Sequence, residues 1–202
     1  MPEIGLPGAV RLDPINVLML CTGNICRSPA AEAMLRHRLH DLGVEARIRS
    51  AGLLDAGHPA HSNSVETLAG RGLDLSAHRS RRLTADVVRS ADLILGMARE
   101  HVREAVVLLP AAFPKVFTLK ELVRRGEAVG PRGTDESLAD WLARAHAGRT
   151  SADLMGNSEE DDIADPIGMP RSAYERMAEE LDTQLDRLVA LIWASRYERS
   201  VR

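Results

Sequence analysis

Apolar and polar positions along this chain repeat in two periods, and the periods mark out its elements. Ile15 to Leu20 is a short apolar run with the length of a strand buried on both faces. Pro29 suits a first helical turn, where its missing N–H costs nothing. Good helix formers then continue from Ala30 to Leu42 and stop at Gly43. Val44 to Ala51 alternates as a second strand, and His61 to Leu68 reads as a helix ending near Gly70 and Gly72. Ala91 to Met97 is a further buried strand, followed by a helix from about Arg99 to Leu109 and a fourth strand over Lys115 to Leu119. Near the end, Tyr174, Met177, Leu181, Leu185, Leu188 and Ile192 recur at spacings of three and four, while Glu175, Glu179, Asp182 and Asp186 take other faces. That pattern is an amphipathic helix packed on a sheet.

Strands alternating with helices predict an α/β fold: a single-domain open parallel sheet of about four strands with helices on both faces, flavodoxin/Rossmann-like. The domain is expected over 15–195, with tails at 1–14 and 196–202; Pro2, Pro7 and Pro14 break any helix in the first tail. An atypical insert at about 124–160 interrupts the pattern, with Gly126, Gly130, Pro131 and Gly133, a helical stretch around Leu138 to Ala147, then Gly-Asn-Ser-Glu-Glu-Asp-Asp. Stretches of this kind are commonly lids or disordered inserts, and a lid here would select the partner protein. The acidic run Glu159 to Asp162 reads as a solvated face.

Composition narrows the function. A length of 202 residues with 45% hydrophobic content fits one globular domain with some decoration. A net charge of −3 argues against nucleic acid as the main partner. No apolar stretch approaches the roughly 18 residues needed to span a membrane, and the first residues lack the basic and apolar regions of a signal peptide, so a cytoplasmic location is expected. The two cysteines, Cys21 and Cys26, lie in one short loop, where a disulfide would stabilise little; a secreted disulfide scaffold is thereby disfavoured.

The chemistry concentrates directly after the first strand. Cys21 and Arg27 stand six apart and bracket Gly23 and Asn24. Gly23 permits a positive φ and Asn24 tolerates one, a conformation that turns successive amides inward as an anion nest. The helix opening near Ser28 adds its free N–H groups and dipole. Arg27 supplies a fork that holds two phosphoryl oxygens at once. The same positive field favours the thiolate at Cys21, making it a nucleophile, with Ser28 placed to donate to the sulfur. His37 with His40, and His58 with His61, are spaced as metal pairs, but no third ligand converges on either; neither metal nor cofactor is expected.

Cys-Thr-Gly-Asn-Ile-Cys-Arg-Ser-Pro over Cys21 to Pro29 resembles the P-loop of the low-molecular-weight protein tyrosine phosphatase family. The similarity continues through Ser50-Ala51-Gly52, Gly72 to Arg81, Ala91 to Leu95 and Asp162 to Pro166, covering most of 15–123 and 161–193 and leaving 124–160 outside. The resemblance implies hydrolysis of phosphomonoesters, with phosphotyrosine in a phosphorylated protein as substrate, through a cysteinyl-phosphate on Cys21. Arg27 binds the phosphoryl group in that scheme, and Asp165 of Asp165-Pro166 serves as general acid and then general base. Thr22, Gly23, Asn24, Ile25, Cys26 and Ser28 complete the cup. A second Asp-Pro pair, Asp13-Pro14, precedes the first strand, and at ~3.3 Å per residue lies some 20 Å or more from Cys21.

By the same resemblance, Ser50 and His78 hydrogen-bond Asn24 and lock the strained cup, and Arg81 falls on a structural arginine. Cys26 matches a second cysteine that in several members forms a reversible disulfide with the nucleophile; simple packing is its other reading. Two features depart from the family. Aromatic residues make up only 3% of the chain, and the places where phosphotyrosine enzymes carry pocket aromatics hold Ile167 and Leu53 to His58. Phosphoarginine-specific relatives carry threonine where this chain has Ile25, which leans back towards an aryl substrate. A phosphoarginine phosphatase, an arsenate reductase resolved by an external thiol and a non-catalytic phosphoprotein-binding module remain as alternatives. No nucleic-acid or membrane partner is expected, and the oligomeric state stays open.

Overall fold

The computed structural model describes residues 14–194 and Tyr197. The tails expected at 1–14 and 196–202, including Asp13, therefore lie outside the described residues apart from Pro14 and Tyr197. Four strands, β1 (Ile15–Cys21), β2 (Ala46–Gly52), β3 (Leu93–Gly96) and β4 (Val116–Thr118), form one parallel sheet in the order β2-β1-β3-β4. The chain leaves β1 towards β2 on one side and returns to β3 on the other. The sheet's switch point thus falls at β1, and the crevice beyond its carboxyl end is where such sheets bind ligands. Cys21, the last residue of β1, stands at that crevice, opposite Gly52 of β2.

Side chains alternate across the sheet and build two cores. Val17, Met19, Cys21, Leu93, Leu95 and Phe117 face α1 (Arg27–Asp41), α5 (Leu119–Val129) and α7 (Arg171–Ile192). Leu18, Leu20, Ile94 and Val116 face Val88 of α3 (Ala85–Ser90) and Val102 and Ala105 of α4 (Arg99–Leu108). Both faces of β1 are covered, which explains its unbroken apolar run. The periodic positions of α7 from Tyr174 to Ile192 are all buried. A further helix, α2 (Ser62–Ala69), packs against α7. Lys115 to Leu119 shortens to the three-residue β4 because Thr118 already caps α5, its hydroxyl accepting the Glu121 N–H at 3.0 Å. Among the described residues no helix is long and apolar enough to cross a membrane.

The segment read as a lid or disordered insert is built into the sheet edge instead. Residues from Arg124 to Val129 continue α5, and α6 (Leu138–His146) buries Trp141, Leu142 and Ala145 against it. Gly126 makes this approach possible: a Cβ there would lie 2.9 Å from side-chain atoms of both Trp141 and Leu191. After α6, Arg149 turns inward and donates to the free carbonyl of Val116 on edge strand β4 at 2.8 Å, which blunts that edge against pairing. In the acidic run Glu159 and Glu160 are exposed, as a solvated face requires, and Asp161 is the departure. Asp161 is only 2% exposed and bridges Arg99 and Arg124. Burial works to raise its carboxyl, and the hydrogen bonds from Arg99 and Arg124 outweigh burial and hold it below its ordinary value.

Candidate active site

The loop after β1 closes into a cup around the Cys21 sulfur. Sγ lies 3.0 Å from Ser28 Oγ and receives the Asn24 N–H at 3.2 Å. Asn24 sits at φ 51°, the one non-glycine residue with positive φ among the described residues. That conformation costs about 1–2 kcal/mol, so the surroundings must over-determine it. They do so through three contacts. Asn24 Oδ1 accepts the Arg81 N–H at 2.8 Å, Nδ2 donates to Ser28 Oγ at 2.8 Å, and the backbone carbonyl lies 2.7 Å from His78 Nε2. A carbonyl only accepts, so His78 carries its proton on Nε2. Ser28 Oγ accepts from Asn24, and its own proton has the sulfur at 3.0 Å as its nearer acceptor and the Ala51 carbonyl at 3.5 Å as the farther one. Gly52 completes the fit, since a Cβ there would press to 2.8 Å on the backbone of Thr22 and Asn24.

Arg27 opens α1 and is buried beside the cup. One terminal nitrogen donates to Ile163 O at 3.3 Å, and the other donates to Thr22 Oγ1 at 3.2 Å and pairs with Asp165 Oδ2. Its Nε is buried with no hydrogen-bond partner. Asp165 remains 38% exposed, with Oδ1 accepting the Ile167 N–H at 3.1 Å. The loop carrying it is pinned upstream: Ile163 N–H donates to Met97 O at 2.7 Å, and Asp162 accepts the backbone N–H groups of Arg99 at 2.8 Å and Ser158 at 3.0 Å. The end of the insert thus holds Asp165 at the cup.

The structure gathers Cys21, Thr22, Gly23, Asn24, Ile25, Cys26, Arg27, Ser28, His78 and Asp165 at one place, and Ser50 is the exception. Its hydroxyl donates to the Glu32 carboxylate of α1, not to Asn24. Ser50 points to the α1 face of β2, where buried Glu32 needs donors, while the Asn24 amide is already taken by Arg81 and Ser28. Arg81 supports the cup through its backbone N–H, so no side-chain chemistry is asked of it. Cys26 is buried, and burial pushes its thiol up to about 11.

Two residues escaped the sequence reading. Thr22 Oγ1 donates to Glu100 Oε1 at 3.1 Å and lies 3.1 Å from His101 Nε2. Burial, and next the charge of Arg27, push the His101 imidazole down to about 3, so it is neutral near pH 7. Their signal was positional: Arg99-Glu100-His101 follows the carboxyl end of β3, the same edge that marks Cys21. Above the cup the rim is aliphatic. Leu53 and Leu54 are tied to Thr22 O at 2.8 and 3.1 Å, and Leu54, Ile167 and Met169 are exposed. Tyr174 stacks on His61 at 5.0 Å but is fully buried and offers no wall to a ligand.

Three comparisons with known proteins bear on this arrangement. The profile of the family described as Low molecular weight phosphotyrosine protein phosphatase matches residues 16–130. Low molecular weight protein-tyrosine-phosphatase Etp of Escherichia coli (strain K12) is 37% identical over 117 residues, covering 57% of this chain and 76% of that protein. Protein-arginine-phosphatase of Geobacillus stearothermophilus is 34% identical over 176 residues, 87% of this chain and 94% of that protein. Among solved structures, a low molecular weight protein tyrosine phosphatase from T. tengcongensis superposes with a TM-score of 0.67 at 34% identity, over 87% of this chain and 97% of that one.

Proposed function

We propose that this chain, which belongs to the low-molecular-weight phosphotyrosine protein phosphatase family, removes phosphate from phosphotyrosine in proteins through a cysteinyl-phosphate on Cys21. The observation that carries the proposal is the Cys21 sulfur held between the Asn24 N–H and the Ser28 hydroxyl, with Arg27 and Asp165 paired beside it. The Asn24 N–H and the Ser28 hydroxyl both meet the Cys21 sulfur, the attacking atom. The thiolate attacks phosphorus; the P–S bond forms as the P–O bond to the leaving group breaks, and Asp165 in its acid form gives that oxygen a proton. Water then attacks phosphorus, gives its proton to the Asp165 carboxylate, and the P–S bond breaks to release phosphate. Arg27 and the cup amides hold the three equatorial oxygens through both steps.

Ile25 in the cup and the aliphatic rim of Leu54 and Ile167 suit an aromatic ring with apolar contacts and no stacking. Phosphoarginine is the second reading, favoured by the similarity to a protein-arginine-phosphatase across 87% of the chain. Two free buried cysteines suit a reducing compartment, and we place the protein in the cytoplasm on that ground. Purified protein is expected to hydrolyse an aryl phosphate in the presence of a chelator, and Cys21→Ser to abolish turnover. Full activity in that variant would sink the mechanism. Oxyanion binding without a burst of leaving group in the wild type would mark a non-catalytic binding module. A parallel panel of phosphotyrosine, phosphoserine, phosphoarginine and arsenate decides the substrate, with phosphotyrosine expected to turn over fastest.

A further inference from the structure

We infer that His101 is a positioning residue for phosphate capture, acting through the Thr22 hydroxyl on Arg27; the inference rests on the phosphatase reading of the cup. His101 lies in the first turn of α4 with its side chain wholly buried. Gly96, the last residue of β3, gives it room, since a Cβ there would come 3.1 Å from His101 Cβ.

The proton inventory fixes the direction of the network. A guanidinium only donates, so Thr22 Oγ1 accepts from Arg27 at 3.2 Å. The single Thr22 proton is directed to Glu100 Oε1 at 3.1 Å. His101 Nε2 therefore faces a hydroxyl oxygen with no proton to offer it, at 3.1 Å, and a carboxylate oxygen at 3.2 Å. On this count Nε2 is assigned the hydrogen and Nδ1, which meets no partner at hydrogen-bond geometry, is the bare nitrogen, while the Ala98 backbone also favours a proton on the ring. Arg27 and Arg103 oppose a second proton. A neutral imidazole in this tautomer pins both Thr22 and Glu100. With its donor in place, the Thr22 lone pair stays aimed at Arg27, and the guanidinium is held from two sides, by Thr22 and by the Ile163 carbonyl. Arg27 then meets a phosphoryl group already oriented, which lowers the ordering cost of binding.

The test compares wild type with His101→Phe, His101→Gln, His101→Asn, Thr22→Val and the His101→Phe/Thr22→Val double variant. Calorimetry measures binding of inorganic phosphate, kinetics on an aryl phosphate gives kcat and KM, and thermal melts confirm the fold. His101→Phe is expected to weaken phosphate about tenfold and to raise KM more than it lowers kcat. Gln, whose amide reaches the Nε2 position, should restore most of the binding, and the shorter Asn should not. The double variant should bind no more weakly than Thr22→Val alone, because both changes cut one network. Phosphate affinity unchanged in folded His101→Phe, equal losses in Gln and Asn, or multiplicative losses in the double variant would each overturn the inference. If His101→Phe fails to fold, the Gln against Asn contrast still decides. A wild type that binds phosphate without turning over aryl phosphate would remove the phosphatase reading and leave the binding comparison intact.

Discussion

Arg27 and Arg149 are both buried arginines facing a carboxylate, and the molecule holds them in opposite ways. Arg149 at the β4 edge has a side-chain exposure of 0% and meets Glu121 through two nitrogens, at 2.8 and 3.1 Å. Its other contacts run to Val116 O at 2.8 Å, Phe113 O at 3.3 Å and His146 Nδ1 at 3.1 Å. The guanidinium also lies over the Phe117 ring at 3.9 Å and the Phe113 ring at 4.6 Å. Every nitrogen is occupied, and both partners are buried. Arg27 keeps a buried Nε without a partner, and its carboxylate, Asp165, is more than a third exposed. A guanidinium whose donors are all spent is a strut; one with a spare donor and a loosely held partner is ready to exchange that partner for an anion.

The sharpest way to break this contrast is to remove each arginine in turn. Arg27→Met should cut turnover of an aryl phosphate by roughly 10³-fold or more, since it removes at least two donors to the transition state, while the melting temperature moves only a few degrees. Arg149→Met leaves buried Glu121 with Arg125 as its remaining ion-pair partner, and should cost about 2–3 kcal/mol of stability with kcat/KM of the folded protein near wild type. Kinetics and thermal melts on the same two preparations read both axes. A stable but inactive Arg149→Met protein would erase the distinction.

The carboxylates give a smaller and more discriminating version. Asp165→Asn should lower kcat by roughly 10²-fold, and more for phenyl phosphate than for nitrophenyl phosphate, whose leaving group needs little protonation. Its stability should stay within about 1 kcal/mol of wild type, because the carboxylate is well exposed. Glu121→Gln should invert the pattern, leaving catalysis intact and lowering the unfolding midpoint. Equal losses of kcat on the two esters with Asp165→Asn would remove Asp165 from the role of acid.

The same contrast explains what the sequence disclosed. The cup is a local code: an apolar strand, Cys21, a nest at Gly23 and Asn24, Arg27, and Pro29 in the first helical turn, all within one short stretch. Its pieces constrain one another through neighbouring backbone atoms, so they are legible in order. Asp165 became legible only because a proline marks its loop. The Arg149 strut was invisible, because it joins Glu121, 28 positions away, to strand carbonyls that carry no side-chain signature. His101 was hidden in the same way, 79 positions from Thr22. Gly126 misled outright: inside a helix glycine costs about 1 kcal/mol relative to alanine, so it reads as a break, whereas here it admits Trp141. Asp161 looked solvated because its neighbours in sequence are acidic, while its partners Arg99 and Arg124 arrive from other helices.

Cys26 supplies the smallest test, because it adjoins Arg27 in sequence yet behaves as Arg149 does. Burial pushes its thiol from an ordinary 9.0 to about 11, and the nearby Cys21 and Asp165 charges act in the same sense. The folded protein therefore keeps this proton to higher pH than the unfolded chain does. The stability this contributes is complete below about pH 9 and is lost as pH rises towards 11. Urea denaturation from pH 8 to 10.5 should show wild type losing roughly 1–2 kcal/mol more than Cys26→Ala, whatever their offset at pH 8. Tyr174, pushed from an ordinary 10.0 to about 12 chiefly by burial, adds a slope of the same sign, but both proteins carry it and it largely cancels from their difference. Parallel pH profiles for the two proteins would show that the thiol ionises without cost to folding. That result would move Cys26 from the side of the closed, structural groups to that of the cup, where a group's charge is free to change.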